Sequence, residues 1–126
     1  MPFDITVTRE FAAAHQLRLY DGSIEPLHGH NWRVCLTVSA AALVSIGTVM
    51  DFHQLERLLD AIIEPLHNHN LNDVQPFSTA LNPSTENVAL HIGQSLKLPS
   101  GIRLTRVEVW ETSTCSAIYR PIWPAQ

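Results

Sequence analysis

The feature that most constrains the fold is a stretch near the N-terminus in which apolar and polar residues alternate. Its apolar set is Phe3, Ile5, Val7, Phe11 and Ala13. Side chains of a strand point alternately to the two faces of a sheet, so this pattern predicts a half-buried β-strand. A second strand is predicted from Asn31, with one face formed by Trp32, Val34, Leu36 and Val38.

Two stretches of helical periodicity follow these strands. Asp51 is predicted to cap the first helix, whose apolar stripe comprises Leu55, Leu58, Leu59, Ile62, Ile63 and Leu66. Ser84 or Asn82 is predicted to cap the second helix, which ends at Pro99 and Gly101. Its inward-facing residues are Val88, Ala89, Ile92 and Leu96.

Residues 102–111 and 117–122 are predicted to form a closing pair of strands joined by a hairpin connection at 113–116. The order of two strands, two helices and two strands predicts an α+β fold, in which both helices cover one face of an antiparallel sheet. For a chain of 126 residues we expect one domain, spanning 1–126.

Composition excludes some classes of partner and location. The formal net charge is -4 and the eight Lys and Arg residues are scattered, which argues against nucleic acid or an anionic membrane as a partner. The most apolar run, residues 40–50, is too short to span a bilayer, and the charged N-terminus lacks the apolar core of a signal peptide. Cys35 and Cys115 lack the spacing of a metal or redox pair, so a cytoplasmic protein with reduced thiols is expected.

The residues that indicate chemistry are histidines. His28 and His30 stand two apart and would share one side of an extended segment, and His15 continues the apolar phase of the first strand. Three imidazoles are a common ligand set for a catalytic zinc ion that keeps its fourth position open. A hydrogen-bonded core histidine would also explain His15, and the neighbouring pair His67 and His69 could either bind metal or form a polar turn.

Six short motifs follow one another along the chain: FAAAH at 11–15, HGHN at 28–31, GTVMDF at 47–52, LN at 71–72, PSTE at 83–86 and ET at 111–112. In this order and spacing they resemble the 6-pyruvoyltetrahydropterin synthase and 6-carboxytetrahydropterin synthase family over nearly the whole chain. The resemblance implies the tunnelling fold, in which trimers build a barrel and two trimers stack into a homohexamer.

The resemblance also implies a ligand set. It places zinc on His15, His28 and His30, where the metal acidifies hydroxyl groups of a pterin side chain. It assigns the anchoring of the pterin ring to Glu111, which is followed by Thr112. The family segment that matches Ser84 and Thr85 completes the pocket from a neighbouring subunit.

The chain departs from the family at three positions used for proton transfer. Ile24 stands where the family has a cysteine four residues before the His-Gly-His motif, and His67 and Asn68 replace an Asp-His pair. Isoleucine cannot transfer a proton. However, Glu25 forms the pattern Glu-x-x-His-Gly-His, which resembles a branch that uses glutamate and produces 6-hydroxymethyl-7,8-dihydropterin. Glu25 is then a candidate general base and His67 an auxiliary acid or base.

Two functions follow from these residues. The first is a zinc-dependent lyase that cleaves 7,8-dihydroneopterin triphosphate or a related pterin by a retro-aldol step. The second is an altered homologue that binds a pterin- or purine-like ligand without the reaction, with Glu25 a solvated loop residue. A purely structural zinc is a third possibility, and it predicts that chelation unfolds the chain.

Overall fold

The computed structural model describes residues 1–122, which form two α-helices and one five-stranded sheet. The strands are β1 (Phe3–His15), β2 (His28–Ala40), β3 (His69–Asn70), β4 (Ile102–Trp110) and β5 (Ser116–Tyr119). The helices are α1 (Phe52–Ile63) and α2 (Thr85–Ser95), and a 3-10 turn at Leu71–Asp73 follows β3. The predicted α+β class is confirmed.

The strands lie in the order β3-β1-β2-β4-β5, and each neighbouring pair is antiparallel except β3 with β1. The long β1–β2 ladder runs without a register shift from Phe3 opposite Ala40 to His15 opposite His28. The last two paired residues of this ladder are therefore both histidines.

The hydrophobic core lies between the helices and one face of the sheet. Residues directly opposite each other in a ladder share a face, as do Phe11 and Trp32, whose rings stack with centroids 5.9 Å apart. Against this face α1 buries Leu55, Leu59 and Ile63, and α2 buries Val88, Ala89, Ile92 and Gly93. Both helices thus cover the same face, as the sequence predicts.

The side chains predicted to cap the N-termini of the two helices make the expected hydrogen bonds. The Asp51 carboxylate accepts a hydrogen bond from the backbone N–H of His53 at 3.0 Å. At α2 the cap is Ser84, whose hydroxyl accepts from the N–H of Asn87 at 3.1 Å. Of the two caps that the sequence allowed, the structure has Ser84 and not Asn82.

Some boundaries differ from those predicted. β2 begins at His28, so the His-Gly-His motif lies inside the strand, and β5 ends at Tyr119. The pairing of β3 with β1 was not predicted, because two polar residues carry no periodic pattern. Within residues 1–122, no helix is long and apolar enough to cross a membrane.

Candidate metal centre

The β1–β2 ladder brings three histidines to one end of the core face. His15 is opposite His28, and His30 is opposite Ala13, so all three side chains share the face that carries Trp32. The ring centroids of His15 and His30 lie 4.8 Å and 5.7 Å from that of Trp32. The buried indole therefore packs against the rings of His15 and His30.

Glu111 joins this group from β4. It directly follows the strand and continues the phase of the buried residues Val107 and Val109. One ligand atom from each of His15, His28, His30 and Glu111 lies within 4.8 Å of the other three. Imidazole nitrogen and carboxylate oxygen are the donors that zinc and related divalent ions take in proteins, so this group could hold a metal ion.

Backbone carbonyls fix the tautomers of two of these imidazoles. Nδ1 of His15 lies 2.7 Å from the carbonyl oxygen of Pro83, and Nδ1 of His28 lies 2.8 Å from that of Pro26. Because a carbonyl oxygen only accepts, each Nδ1 carries the proton and donates it. Nε2 is left with its lone pair, which is the arrangement usual for metal-binding histidines.

Two of the ring nitrogens in the cluster have no hydrogen bond. Nε2 of His15 and Nε2 of His30 are buried without a hydrogen-bond partner among residues 1–122. Oε1 of Glu111 lies 3.0 Å from the first and 3.9 Å from the second, but neither contact has the geometry of a hydrogen bond. A buried polar atom without a partner costs about 1–3 kcal/mol, and a cation bound between these atoms removes that cost. The residues present therefore fit a metal ion.

Burial also favours the form of His30 that binds metal. Its removal from water lowers the pKa of His30, while the nearby Glu111 carboxylate opposes this shift in part. A histidine must be neutral to coordinate a metal. Desolvation thus keeps His30 neutral to a lower pH.

Glu25 lies next to the histidine cluster. Its Oε1 accepts a hydrogen bond from the backbone N–H of Leu17 at 2.9 Å and lies 3.9 Å from Nε2 of His28. Ile24, the residue before Glu25, is exposed. The structure therefore brings the glutamate, and not the residue before it, into contact with the candidate metal ligands.

The structure does not bring His67 into this cluster. His67 is exposed, its Nδ1 accepts from the backbone N–H of Ala12 at 3.1 Å, and it lines a separate cavity with Asp60 and Glu64. Nδ1 of His69 lies 2.8 Å from the carbonyl oxygen of His67. Within the described chain neither histidine belongs to a group of three or more ligating side chains.

A cavity of about 580 Å³ opens beside the cluster, at the end of β4. It is lined by Glu111 and Thr112 together with His30, Arg33 and Trp110, among others. Its volume is in the range of small-molecule sites. Ser84 and Thr85 are not among its lining residues, although α2 begins next to Pro83, whose carbonyl binds His15.

Two parts of the site escaped the sequence reasoning. Glu111 was predicted to bind the ligand, and its proximity to the three histidines was not predicted, although its phase with Val107 and Val109 is visible in the sequence. Asn72 and Asn82 appeared only as part of a motif and as an alternative helix cap, yet both bind the segment that contacts Glu25. No local signal in the sequence indicates those contacts.

Comparison with known proteins adds a family and a fold. A profile of the family described as 6-pyruvoyl tetrahydropterin synthase matches residues 4–121. The chain is 34% identical over 103 residues to a dihydroneopterin monophosphate aldolase of Pyrococcus furiosus, covering 80% of this chain and 82% of that protein. It is 35% identical over 114 residues to a 6-carboxy-5,6,7,8-tetrahydropterin synthase of Synechocystis sp., covering 86% of each.

Among solved structures, 6-pyruvoyl tetrahydropterin synthase of Caenorhabditis elegans matches with a TM-score of 0.83 at 23% identity. The match covers 95% of this chain and 96% of that one. At this level of identity the likeness concerns the fold, and it extends over nearly all of both chains.

Proposed function

The chain belongs to the 6-pyruvoyl tetrahydropterin synthase family, and from that membership we propose that it is a zinc-dependent lyase. Its substrate is a phosphorylated 7,8-dihydroneopterin, and a retro-aldol cleavage yields 6-hydroxymethyl-7,8-dihydropterin. The observation that carries this proposal is the Glu25 carboxylate, 3.9 Å from Nε2 of His28. The similarity to a dihydroneopterin monophosphate aldolase supports the same reaction.

In this proposal His15, His28 and His30 would hold the zinc ion. Bound zinc supplies Lewis-acid polarisation of the hydroxyl groups on the pterin side chain. Glu111 would bind the pterin ring, because a carboxylate accepts hydrogen bonds from two neighbouring N–H groups. The position of Glu111 and Thr112 on the wall of the 580 Å³ cavity supports this assignment.

Glu25 is the proposed general base. It takes the proton of the C2′ hydroxyl, C2′ becomes an aldehyde carbon, and the C1′–C2′ bond breaks. The bonding electron pair passes to C1′ and is delocalised into the N5=C6 imine of the dihydropterin ring. Protonation of C1′ completes 6-hydroxymethyl-7,8-dihydropterin and releases a phosphorylated glycolaldehyde. A positioned base of this kind contributes about 10²–10⁴-fold in rate.

Arg33 is the proposed contact for the substrate phosphate. Arg33 is the one Lys or Arg residue among those lining the cavity. None of the ion pairs found within residues 1–122 includes it, although Glu10 lies directly opposite in the β1–β2 ladder. An unpaired guanidinium is suited to a phosphate, because its donors match two phosphate oxygens.

We further propose that the protein assembles as a homohexamer, a dimer of trimers. The resemblance of the segment 83–86 to the family implies that Ser84 and Thr85 complete the pocket of a neighbouring subunit, and in their own chain they do not line the cavity. The role of His67 as an auxiliary acid stays a prediction, because within one chain His67 belongs neither to the histidine cluster nor to the cavity beside it. Light scattering on the purified protein tests the assembly.

The alternative is a binding protein that retains the pocket and has lost the reaction. The replacement of the family's Asp-His pair by His67 and Asn68 favours it, because the acid that would protonate the product is then missing. A binder would retain affinity for dihydropterins and have no turnover.

The deciding experiment incubates zinc-loaded protein with 7,8-dihydroneopterin monophosphate and triphosphate and separates the products by chromatography. We expect 6-hydroxymethyl-7,8-dihydropterin from the wild type, and loss of turnover with retained binding in Glu25→Gln. Glu64→Gln is the matched control, because Glu64 is an exposed carboxylate on the separate cavity that His67 lines. Unchanged substrate despite binding would favour the alternative, and a pyruvoyl or carboxy product would overturn the retro-aldol reaction.

A further inference from the structure

Two asparagine side chains form hydrogen bonds with the segment 16–18, which follows β1. Asn72 accepts from the N–H of Gln16 at 2.9 Å and donates to its carbonyl at 2.8 Å. Asn82 does the same to Arg18, at 2.9 Å in both directions. Each amide thus pairs with both backbone groups of one residue, as a neighbouring strand would.

The residue between them faces the other way and holds Glu25. The N–H of Leu17 donates to Oε1 of Glu25 at 2.9 Å, and its carbonyl accepts from the backbone N–H of Glu25 at 3.0 Å. Backbone groups of successive residues in an extended chain point to opposite sides, which is why 16 and 18 face the asparagines while 17 faces Glu25. The position of the carboxylate is therefore tied to the two asparagines through one short segment.

The asparagines are themselves well anchored. Asn72 lies in the 3-10 turn beside the fully buried Leu71, and its N–H donates to Oδ1 of Asn70 at 3.0 Å. The carbonyl of Asn82 accepts from the side chain of Asn87, in the first turn of α2, at 3.0 Å. The hydrogen bonds to residues 16 and 18 therefore come from parts of the fold that do not belong to the loop.

Packing contributes little to fixing the loop that carries Glu25. Leu17 is half-buried, and four other large apolar side chains are exposed: Leu19, Tyr20, Ile24 and Leu27. The guanidinium of Arg18 adds two further bonds, to the carbonyls of Phe77 at 3.1 Å and Leu81 at 2.7 Å. Hydrogen bonds to 16–18, and not burial, determine where the loop lies.

We propose that Asn72 and Asn82 are positioning residues that hold the Glu25 carboxylate at the histidine cluster. The inference rests on the proposed function, because it takes Glu25 as the base. Neither asparagine belongs to the candidate metal group or lines the cavity beside it, so both act through segment 16–18.

The test is a double-mutant cycle between Asn72→Ala and Glu25→Ala, read as kcat and KM in the aldolase assay. We expect Asn72→Ala to lower kcat about 10–100-fold with KM within about twofold, since a displacement of about 1 Å can cost about 10²-fold. In the Glu25→Ala background the same substitution should leave the residual kcat unchanged, because there is no carboxylate to misplace. Asn82→Ala should behave in the same way, and Gln94→Ala, an exposed amide on α2, serves as the matched control.

The rise in melting temperature on zinc binding shows, independently of turnover, whether a variant is correctly folded. The candidate ligands lie on or next to the strands, so Asn72→Ala should retain the zinc-dependent rise in melting temperature. If Asn72→Ala does not fold, Asn72→Asp, which keeps the acceptor for the Gln16 N–H, and Asn82→Ala replace it in the cycle.

The outcomes separate the two proposals. If Glu25→Ala retains wild-type turnover, the role of Glu25 fails and this inference fails with it. If Glu25→Ala is impaired but the asparagine variants keep wild-type kcat, or lose the same factor in both backgrounds, only the positioning role is overturned.

Discussion

The candidate ligand set predicts how strongly zinc stabilises the folded chain. Metal that binds only the folded state at about 1,000 times its Kd adds about 4 kcal/mol to the free energy of unfolding. Unfolding entropy near 60 °C is about 2.1 cal/mol/K per residue, or ~0.26 kcal/mol/K for the 126 residues of this chain. Zinc at that concentration should therefore raise the melting temperature by about 15 °C.

His28→Ala removes one ligand and should lower this response. Loss of a mere outer-shell partner weakens metal affinity about 10–100-fold, so loss of a ligand should cost at least about 100-fold, or ~2.7 kcal/mol. At the same zinc concentration the rise then falls to about 5 °C. The His28 side chain is 40% exposed, so the metal-free variant should melt close to the metal-free wild type.

The measurement is thermal unfolding by circular dichroism in metal-depleted buffer, with zinc added in steps. His53→Ala is the control, because that side chain is 81% exposed and belongs to α1, away from the cluster. An equal zinc response in wild type and His28→Ala would refute the ligand set. Unfolding by a chelator would instead favour a structural metal, whereas we expect the metal-free chain to stay folded on its hydrophobic core.

Three further predictions concern other parts of the molecule. Arg33→Ala should raise KM at least about tenfold for phosphorylated dihydroneopterin but not for the unphosphorylated form, since a hydrogen bond to a charged group contributes about 1.5–3 kcal/mol; an equal effect on both substrates would contradict a phosphate contact. Burial lowers the pKa of His91 below 6.5, so below about pH 6.5 the unfolded chain binds more protons than the folded chain and stability falls as the pH drops. His91→Gln should reduce the fall in melting temperature between pH 7 and pH 5, and an unchanged pH dependence would speak against this role of His91. Gly93→Ala places a Cβ 2.5 Å from the Tyr119 ring. Although alanine has the better helix propensity, this substitution should lower the free energy of unfolding, measured in urea, by about 1–3 kcal/mol. The double variant Gly93→Ala/Tyr119→Leu should recover part of the loss, and a gain in stability for Gly93→Ala would refute the close contact.

The sheet was predictable where one face of a strand is buried. The alternation around Val7 and Phe11 predicts β1, and His15 continues that phase to the end of the strand. Since the β1–β2 ladder has no register shift, three histidines in the correct phase were sufficient to predict a common face. Local pattern and tertiary structure agree here because burial of apolar side chains determines both.

Contacts made by single polar groups were not predictable in this way. The strand His69–Asn70 pairs with β1 through backbone groups alone, and nothing in its side chains indicates a partner. Asn72 and Asn82 bind residues 56 and 64 positions away, respectively. An asparagine in a loop is compatible with a turn, a cap or a long-range bond, and only the assembled fold selects among them.

The candidate metal ligands and the proposed base are carried by different kinds of structure. A shift of one residue in the pairing of β1 with β2 would turn the histidines of the shifted strand away from those of the other strand, so the histidine group depends on the register of the whole ladder. A substitution at position 24 or 25 changes one side chain of an exposed loop and leaves that ladder intact. One substitution in this loop can therefore exchange the side chain beside the histidines without disturbing the ladder that carries them.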